Sequence, residues 1–280
     1  MKKIFVVALL CLLTSPFLFA QKRSPKGKLF IIGGGSRPDA MIERMINEAG
    51  LRSGGFAIVL PMSSEEPDSA VYYGKRQFVE KGISHIYGLQ FVKGEKPSQQ
   101  KLDSIRNAKL IYITGGDQNR FMNVVMGTEI EKAIHDAFNK GCFVSGSSAG
   151  AAVMSRIMIT GNELKHPEYA STFRNIEPDN IETKPGLGLI ENAIVDQHFV
   201  RRSRHNRLIS AIIEFPDMMG IGIDESTAIL VKGNDVEVVG ESQVIILENP
   251  KRSKVIRNSK LGATGLLLTV LLPGDTFKLR

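Results

Sequence analysis

Cysteine is scarce in this chain of 280 residues, which contains only Cys11 and Cys142. We expect Cys11 to be removed with an N-terminal signal segment, which would leave the mature chain one thiol. A single thiol cannot form an internal disulfide, and it cannot build a cysteine-based zinc site. Cys142 lies in an apolar stretch typical of a buried strand, so we expect it to be a core residue and not a nucleophile.

Long apolar runs are also lacking at the N terminus. The segment Ile4–Leu13 follows two lysines and is too short to span a bilayer once it is cleaved. With Ala20 as a small residue at the cut, residues 1–20 are typical of a secretory signal peptide. We therefore expect a mature protein that is periplasmic or secreted and has no stable membrane span. An uncleaved anchor is the alternative.

The sequence indicates neither nucleic acid nor a dinucleotide as a ligand. It has 36 Lys and Arg against 29 Asp and Glu, a formal net charge of +7, but no long basic run with interleaved aromatic residues. The Gly33-Gly34-Gly35 turn lacks Gly-x-Gly-x-x-Gly spacing, because position 38 is proline. We expect no nucleic-acid partner, no organic cofactor and no metal.

Apolar segments of strand length alternate with helical segments in the first half of the chain. Strands are predicted at Lys28–Ile32, Phe56–Leu60, Ile83–Tyr87, Leu110–Ile113 and Gly141–Ser145. Helices are predicted at Asp39–Ala49, Val71–Lys81, Gln99–Asn107 and Glu129–Asn139. Fully apolar strands in this alternation predict an α/β fold, with a mainly parallel sheet covered by helices on both faces. Beyond residue 208, short apolar runs predict antiparallel strands added toward the C-terminus of one domain, residues 21–280.

The segment Gly146-Ser147-Ser148-Ala149-Gly150 stands between a predicted strand and a small apolar stretch that suits the first turns of a helix. A serine between glycines at such a junction is the arrangement of a nucleophile elbow. The turn would lift Ser148 out of the sheet. The N–H groups of the following helix would then face any developing negative charge.

A serine nucleophile needs a base, and His198 is the best placed of the five histidines. It follows the strand-like run Ala193–Val195, within Asp196-Gln197-His198-Phe199. Because ligands gather beyond the carboxyl ends of parallel strands, we expect His198 at the same sheet edge as Ser148.

Three segments in this order resemble the cyanophycinase and aspartyl dipeptidase family of serine peptidases: Thr114–Gln118, Gly146–Ala151, and Asp196–Phe199 with its spaced arginines. The similarity spans roughly Leu29 to Leu230. It implies a class I glutamine-amidotransferase-like sheet and an exopeptidase acting on β-Asp-Arg bonds of a peptide or aspartyl-arginine polymer. The alternatives are an α-aspartyl or isoaspartyl dipeptidase and a non-catalytic binder of acidic or arginyl peptides. A homodimer is left open.

The resemblance also implies roles for individual residues. Ser148 corresponds to the nucleophile, His198 to the general base, and Glu163 to the acid that orients the histidine, with Asp196 as the alternative acid. The N–H groups of Ala149 and Gly116 correspond to the oxyanion hole. Positions that the family uses for substrate are matched by Gln118, Asp196, Gln197, Arg202, Arg204 and Arg207. Arginine guanidinium groups form bidentate hydrogen bonds with carboxylates, which suits an aspartyl substrate.

The acidic pair Asp224-Glu225 belongs to a further segment that resembles the family, Gly-x-Asp-Glu-x-Thr-Ala. The pair could hold a substrate guanidinium or cap a turn, and the sequence leaves both interpretations open.

Overall fold

The computed structural model describes residues 25–168 and 172–280. The predicted signal segment lies outside the described residues. Those residues form seven α-helices, α1 Asp39–Ala49, α2 Pro67–Glu80, α3 Gln99–Asn107, α4 Gln118–Val125, α5 Glu129–Lys140, α6 Ala149–Ala152 and α7 His205–Glu214. The first eight strands are β1 Lys28–Ile32, β2 Ala57–Leu60, β3 Ile86–Gly88, β4 Leu110–Ile113, β5 Phe143–Ser147, β6 Ile157–Glu163, β7 Ile181–Pro185 and β8 Ala193–Gln197. The others are β9 Met219–Ile223, β10 Thr227–Lys232, β11 Asp235–Gly240, β12 Val244–Glu248, β13 Val255–Arg257, β14 Lys260–Gly262, β15 Leu267–Leu271 and β16 Thr276–Lys278.

The main sheet has eight strands in the order β16-β11-β10-β1-β5-β4-β2-β3. Strands β1 to β5 pair in parallel, whereas β10, β11 and β16 add in antiparallel fashion beside β1. The predicted α/β fold with a mainly parallel sheet and antiparallel strands toward the C-terminus is therefore confirmed.

Helices cover both faces of this sheet because successive side chains of its strands are apolar on opposite sides. In β1, Leu29 and Ile31 pack with α3 and α5, while Phe30 and Ile32 pack with α1 and α2. Sharp helix ends follow from side-chain caps. Ser98 and Thr128, for example, accept hydrogen bonds from the first turns of α3 and α5.

A second sheet of four strands, in the order β15-β12-β9-β8, was not foreseen as a separate layer. Its strands β8 and β9 are parallel, and Gln197 aligns with Ile223. One face of this sheet joins the core that lies behind β5, and the other packs on α7. This layer brings the end of β8 up to the end of β5. Among the described residues, no helix is long and apolar enough to cross a membrane.

Candidate active site

Ser148 stands on a strained turn between β5 and α6. Its backbone has φ 55° and ψ −110°, an unusual conformation for a residue with a side chain. Ser148 N donates to Ile32 O at 3.0 Å, which fixes the turn to β1. The flanking glycines are required by close packing, because a Cβ at Gly146 would lie 2.3 Å from Gly150 O. The predicted strand, tight turn and helix are all present here.

Ser148, His198 and Glu225 form a continuous hydrogen-bonded chain. Ser148 Oγ lies 2.8 Å from His198 Nε2, and His198 Nδ1 lies 2.7 Å from Glu225 Oε1. The carboxylate accepts a hydrogen bond from the Nδ1–H group, which leaves Nε2 as the atom able to accept the serine proton. The geometry is that of a serine nucleophile, a base, and an acid that orients the base.

Glu225 occupies the position that was expected for Glu163, so that expectation is wrong. The Glu163 carboxylate accepts hydrogen bonds from Asn175 Nδ2 at 3.0 Å, Asn180 Nδ2 at 2.9 Å and the Arg174 N–H at 3.1 Å. Partial burial acts to raise the pKa of Glu163, but these hydrogen bonds outweigh it and lower the pKa. Glu163 therefore holds the 174–180 loop against the end of β6.

Asp196, the alternative acid and a predicted substrate residue, is also placed differently. Its side chain is completely buried. One carboxylate oxygen accepts from Arg207 Nε at 2.7 Å, the other pairs with Arg207 Nη2, and Arg204 Nη1 lies 3.8 Å away. Because His198 has φ 48°, strand alternation ends before it and the two side chains do not share a face. Asp196 pairs with these arginines and is absent from the lining of the pocket beside Ser148.

The Gly33-Gly34-Gly35 turn after β1 supports the histidine and its acid. His198 N donates to Gly33 O at 2.7 Å, and Ser226 N donates to Gly34 O at 2.9 Å. Gly34 has φ +118°, and a Cβ there would lie 2.3 Å from His198 Cε1. A side chain at this position would thus displace the imidazole. Sequence reasoning excluded a dinucleotide at this turn but did not find this role.

Burial lowers the pKa of His198 below its usual value of 6.5. The hydrogen bond to Glu225 acts in the opposite direction, and the positive charges of Arg202 and Arg204 add to the lowering. The imidazole is consequently neutral near pH 7 and able to accept a proton from Ser148.

A pocket of about 310 Å³ opens beside Ser148. Its lining combines the serine, the 116–119 segment, the 160–162 segment and the predicted substrate residues Gln118, Gln197, Arg202, Arg204 and Arg207. Gln118 is fixed by its amide, which donates to Ile159 O at 3.0 Å and Thr160 O at 2.7 Å. Arg204 Nη1 donates to Gln197 O at 2.7 Å. Five of the six predicted substrate residues therefore share one pocket.

The predicted oxyanion donors flank the same pocket. Gly116 lines it, and Ala149 is the first residue of α6, directly after Ser148. A Cβ built on neighbouring Gly115 would lie 3.5 Å from Ser148 Cβ, so this turn adjoins the serine. The oxyanion role of both N–H groups stays a prediction.

The described residues offer neither a cluster of metal ligands nor a reactive thiol. Across 25–168 and 172–280, no three His, Cys, Asp or Glu residues are grouped so that they could hold a metal ion. Cys142 is buried, and burial raises its thiol pKa to about 12, so it is an inert core residue.

The chain is similar in sequence to members of a peptidase family and in fold to a solved peptidase structure. Residues 29–239 match the sequence model of peptidase family S51. Cyanophycinase of Trichormus variabilis is 32% identical over 270 residues, covering 92% of this chain and 87% of that protein. Cyanophycinase of Geminocystis herdmanii is 31% identical over 272 residues, covering 91% and 95%. The crystal structure of a peptidase from an acI-B1 actinobacterium has the same fold, with a TM-score of 0.67 at 22% identity over 90% of this chain and 97% of that one.

Proposed function

Because the chain belongs to peptidase family S51 and is a serine-type peptidase, we propose that it hydrolyses β-linked aspartyl-arginine bonds as an exopeptidase. Ser148 attacks the scissile carbonyl while His198 Nε2 takes the hydroxyl proton. Glu225 holds the imidazole and stabilises its charged form. His198 then returns the proton to the departing amine, and water repeats the sequence to release the acyl group.

The developing oxyanion is stabilised by backbone N–H groups that flank Ser148. Ala149 N–H at the start of α6 and Gly116 N–H on the facing turn are the donors we assign. Each donor of this kind is worth about 3 kcal/mol of barrier. Glycine suits the second position because the backbone itself must face the substrate.

The observation that carries the substrate proposal is the charge of the pocket. Arg202, Arg204 and Arg207 all line it, and one of these charges is balanced by the buried Asp196. The pocket also includes Asp117, whose carboxylate caps α4 by accepting from Asn119 N at 2.7 Å. An excess of positive charge beside the nucleophile favours a substrate with a free carboxylate near the scissile bond.

A β-linked aspartyl unit presents such a carboxylate. Its free α-carboxylate lies close to the scissile carbonyl, where Arg202 and Arg204 can hold it. Gln118 and Gln197 supply neutral polar contacts at the same pocket. The similarity to two cyanophycinases over nine-tenths of the chain supports the same substrate class.

The test compares three substrate classes on the purified protein: β-Asp-Arg polymer, α-aspartyl dipeptides and isoaspartyl peptides. We expect the polymer to give the highest kcat/KM, and Ser148→Ala to remove the activity while the melting temperature is retained. Ser147→Ala is the matched control, because it removes a neighbouring hydroxyl and should keep most turnover. Faster cleavage of α-aspartyl dipeptides would refute the substrate proposal and leave the Ser148 chemistry standing.

A fluorophosphonate probe separates a peptidase from a protein that only binds peptides. An activated Ser148 should be modified stoichiometrically, and Ser148→Ala should not react. The absence of labelling in the wild-type protein would support the binding alternative.

We further propose that the mature protein is periplasmic or secreted, which rests on the signal-like pattern of residues 1–20. Fractionation of the producing cell and mass spectrometry of the intact protein test this. A full-length chain that still carries its initiating methionine in the cytoplasmic fraction would contradict it.

A further inference from the structure

Ser63 lies behind the Thr114–Asp117 turn that faces the nucleophile. It belongs to the connection between β2 and α2, and only 1% of its surface is exposed. The side chain is not part of the pocket lining, whereas Gly116 on the other side of the turn is. The Thr114–Asp117 turn thus lies between the Ser63 side chain and the pocket.

The Ser63 hydroxyl contacts this turn at three atoms. Its Oγ lies 2.7 Å from Thr114 O, 2.9 Å from Gly115 O and 3.0 Å from Thr114 Oγ1. The serine has one proton to donate, so it is shared between the two carbonyls while Thr114 Oγ1 donates to it. The Ser63 main chain adds a fourth contact, because its carbonyl accepts from Asp117 N at 2.8 Å.

These contacts determine where two N–H groups point. In a planar trans peptide the carbonyl and the next N–H face opposite ways. Holding Thr114 O and Gly115 O toward Ser63 therefore directs the N–H groups of Gly115 and Gly116 away from it, toward the pocket side.

The turn also has no room to reposition around a side chain. Gly116 has φ +133°, and a Cβ there would lie 2.2 Å from Ser63 O. Glycine and serine thus fit each other closely at this point. A change at Ser63 would be transmitted to the peptide planes of the turn.

We infer that Ser63 is a positioning residue for the oxyanion-binding turn, acting on the nucleophile's reaction through the N–H group of Gly116. This role of Ser63 rests on the proposed reaction at Ser148, but it does not depend on which peptide is cleaved. A displaced N–H donor reduces the stabilisation of the transition state more than it reduces substrate binding, since the oxyanion exists only after Ser148 has attacked.

The test compares Ser63→Ala with Ser145→Ala in the full chain. Ser145 is a matched control, because it is completely buried and its hydroxyl also donates to a backbone carbonyl, Phe30 O at 3.0 Å. We expect Ser63→Ala to lower kcat by about 10- to 100-fold with KM nearly unchanged, since a lost oxyanion donor costs about 100- to 1000-fold. Ser145→Ala should keep the wild-type kcat.

The rate of fluorophosphonate labelling gives a second readout that needs no peptide substrate. Ser148 Oγ bonds to phosphorus, fluoride leaves, His198 takes the serine proton, and the phosphoryl oxygen occupies the oxyanion position. Ser63→Ala should label more slowly than Ser145→Ala. If the wild-type protein labels but cleaves no aspartyl peptide, the substrate proposal fails while this comparison still decides the role of Ser63.

Ser63→Cys covers the case in which Ser63→Ala does not fold. It keeps a side chain of similar size with a much weaker donor, so kcat and the labelling rate should again fall. Wild-type kcat and labelling rate in the folded Ser63 variants would overturn the inference, as would equal losses in the Ser63 and Ser145 variants.

Discussion

Replacing Glu225 with glutamine tests the acid that the structure assigns to His198. The carboxylate accepts a 2.7 Å hydrogen bond from His198 Nδ1, which selects the tautomer with a free Nε2. A glutamine amide can instead donate to Nδ1, and this would place the imidazole proton on Nε2, facing Ser148. The variant therefore keeps the shape of the site and reverses the proton arrangement that the reaction needs.

The expected loss follows from that reversal. Amide substitution of the acid in serine triads reduces turnover by about 10⁴-fold. The Glu225 side chain is 31% exposed. Water can take over part of its role, so we expect a loss of about 10³- to 10⁴-fold in kcat, or roughly 4 to 5.5 kcal/mol of barrier. Substrate KM should change little, because Glu225 is absent from the pocket lining.

Glu163→Gln is the matched control, since it makes the same chemical change at the acid expected from the sequence. Its carboxylate contacts Asn175, Asn180 and the Arg174 N–H, so we expect activity close to wild type. Steady-state kinetics on an aspartyl substrate and melting curves of both variants give the comparison. A folded Glu225→Gln protein with wild-type kcat, or a larger loss in Glu163→Gln, would refute the assignment.

Three further changes probe the surroundings of the triad. Gly34→Ala places a Cβ 2.3 Å from the His198 ring, so we expect kcat/KM to fall by at least about 10-fold while circular dichroism shows a folded protein. Unchanged kinetics would contradict the role of Gly34 in supporting His198. Asp196→Asn leaves Arg207 without its buried counter-charge and should lower the free energy of unfolding by about 3 kcal/mol in urea titrations. An unaltered urea midpoint would contradict the stabilising role of the Asp196–Arg207 ion pair. The acid limb of the pH profile of kcat/KM should lie below pH 6.5, because burial lowers the pKa of His198. Arg202→Gln removes a positive charge that also lowers this pKa, so it should move the acid limb to higher pH. An acid limb that does not move would contradict the electrostatic cause.

Much of the parallel sheet could be predicted from the sequence because its strands are apolar on both faces. The bounds of β1 and β4 are those predicted, as are those of α1 and α3. The elbow was predictable for a related reason, since glycines at a strand-to-helix junction indicate close backbone packing. Ser148 and His198 followed as the nucleophile and base that such a site requires.

The acid could not be found in the same way, because its position depends on strand pairing over long distances. The family resemblance implied Glu163, yet Glu225 reaches His198 through the pairing of β8 with β9. The parallel register aligns Gln197 with Ile223, so the residues that follow both strands emerge side by side. The Asp224-Glu225 pair is visible in the sequence, but a single sequence carries no signal of that register.

The position of Glu225 also couples the triad to the packing of the two sheets. Strand β9 belongs to the second sheet and β10 to the main sheet, and only residues 224–226 connect them. Asp224 fixes this connection by accepting from Arg201 N at 2.9 Å and from Ser242 Oγ at 2.8 Å. Because β1 pairs with β5 on one side and β10 on the other, its Gly34 turn lies between the strand that precedes the nucleophile and the strand that follows the acid. Ser148 follows β5 of the main sheet and His198 follows β8 of the second sheet, so the distance between them is set by how the two sheets join. A core substitution that shifts one sheet against the other would reach the reaction through this contact.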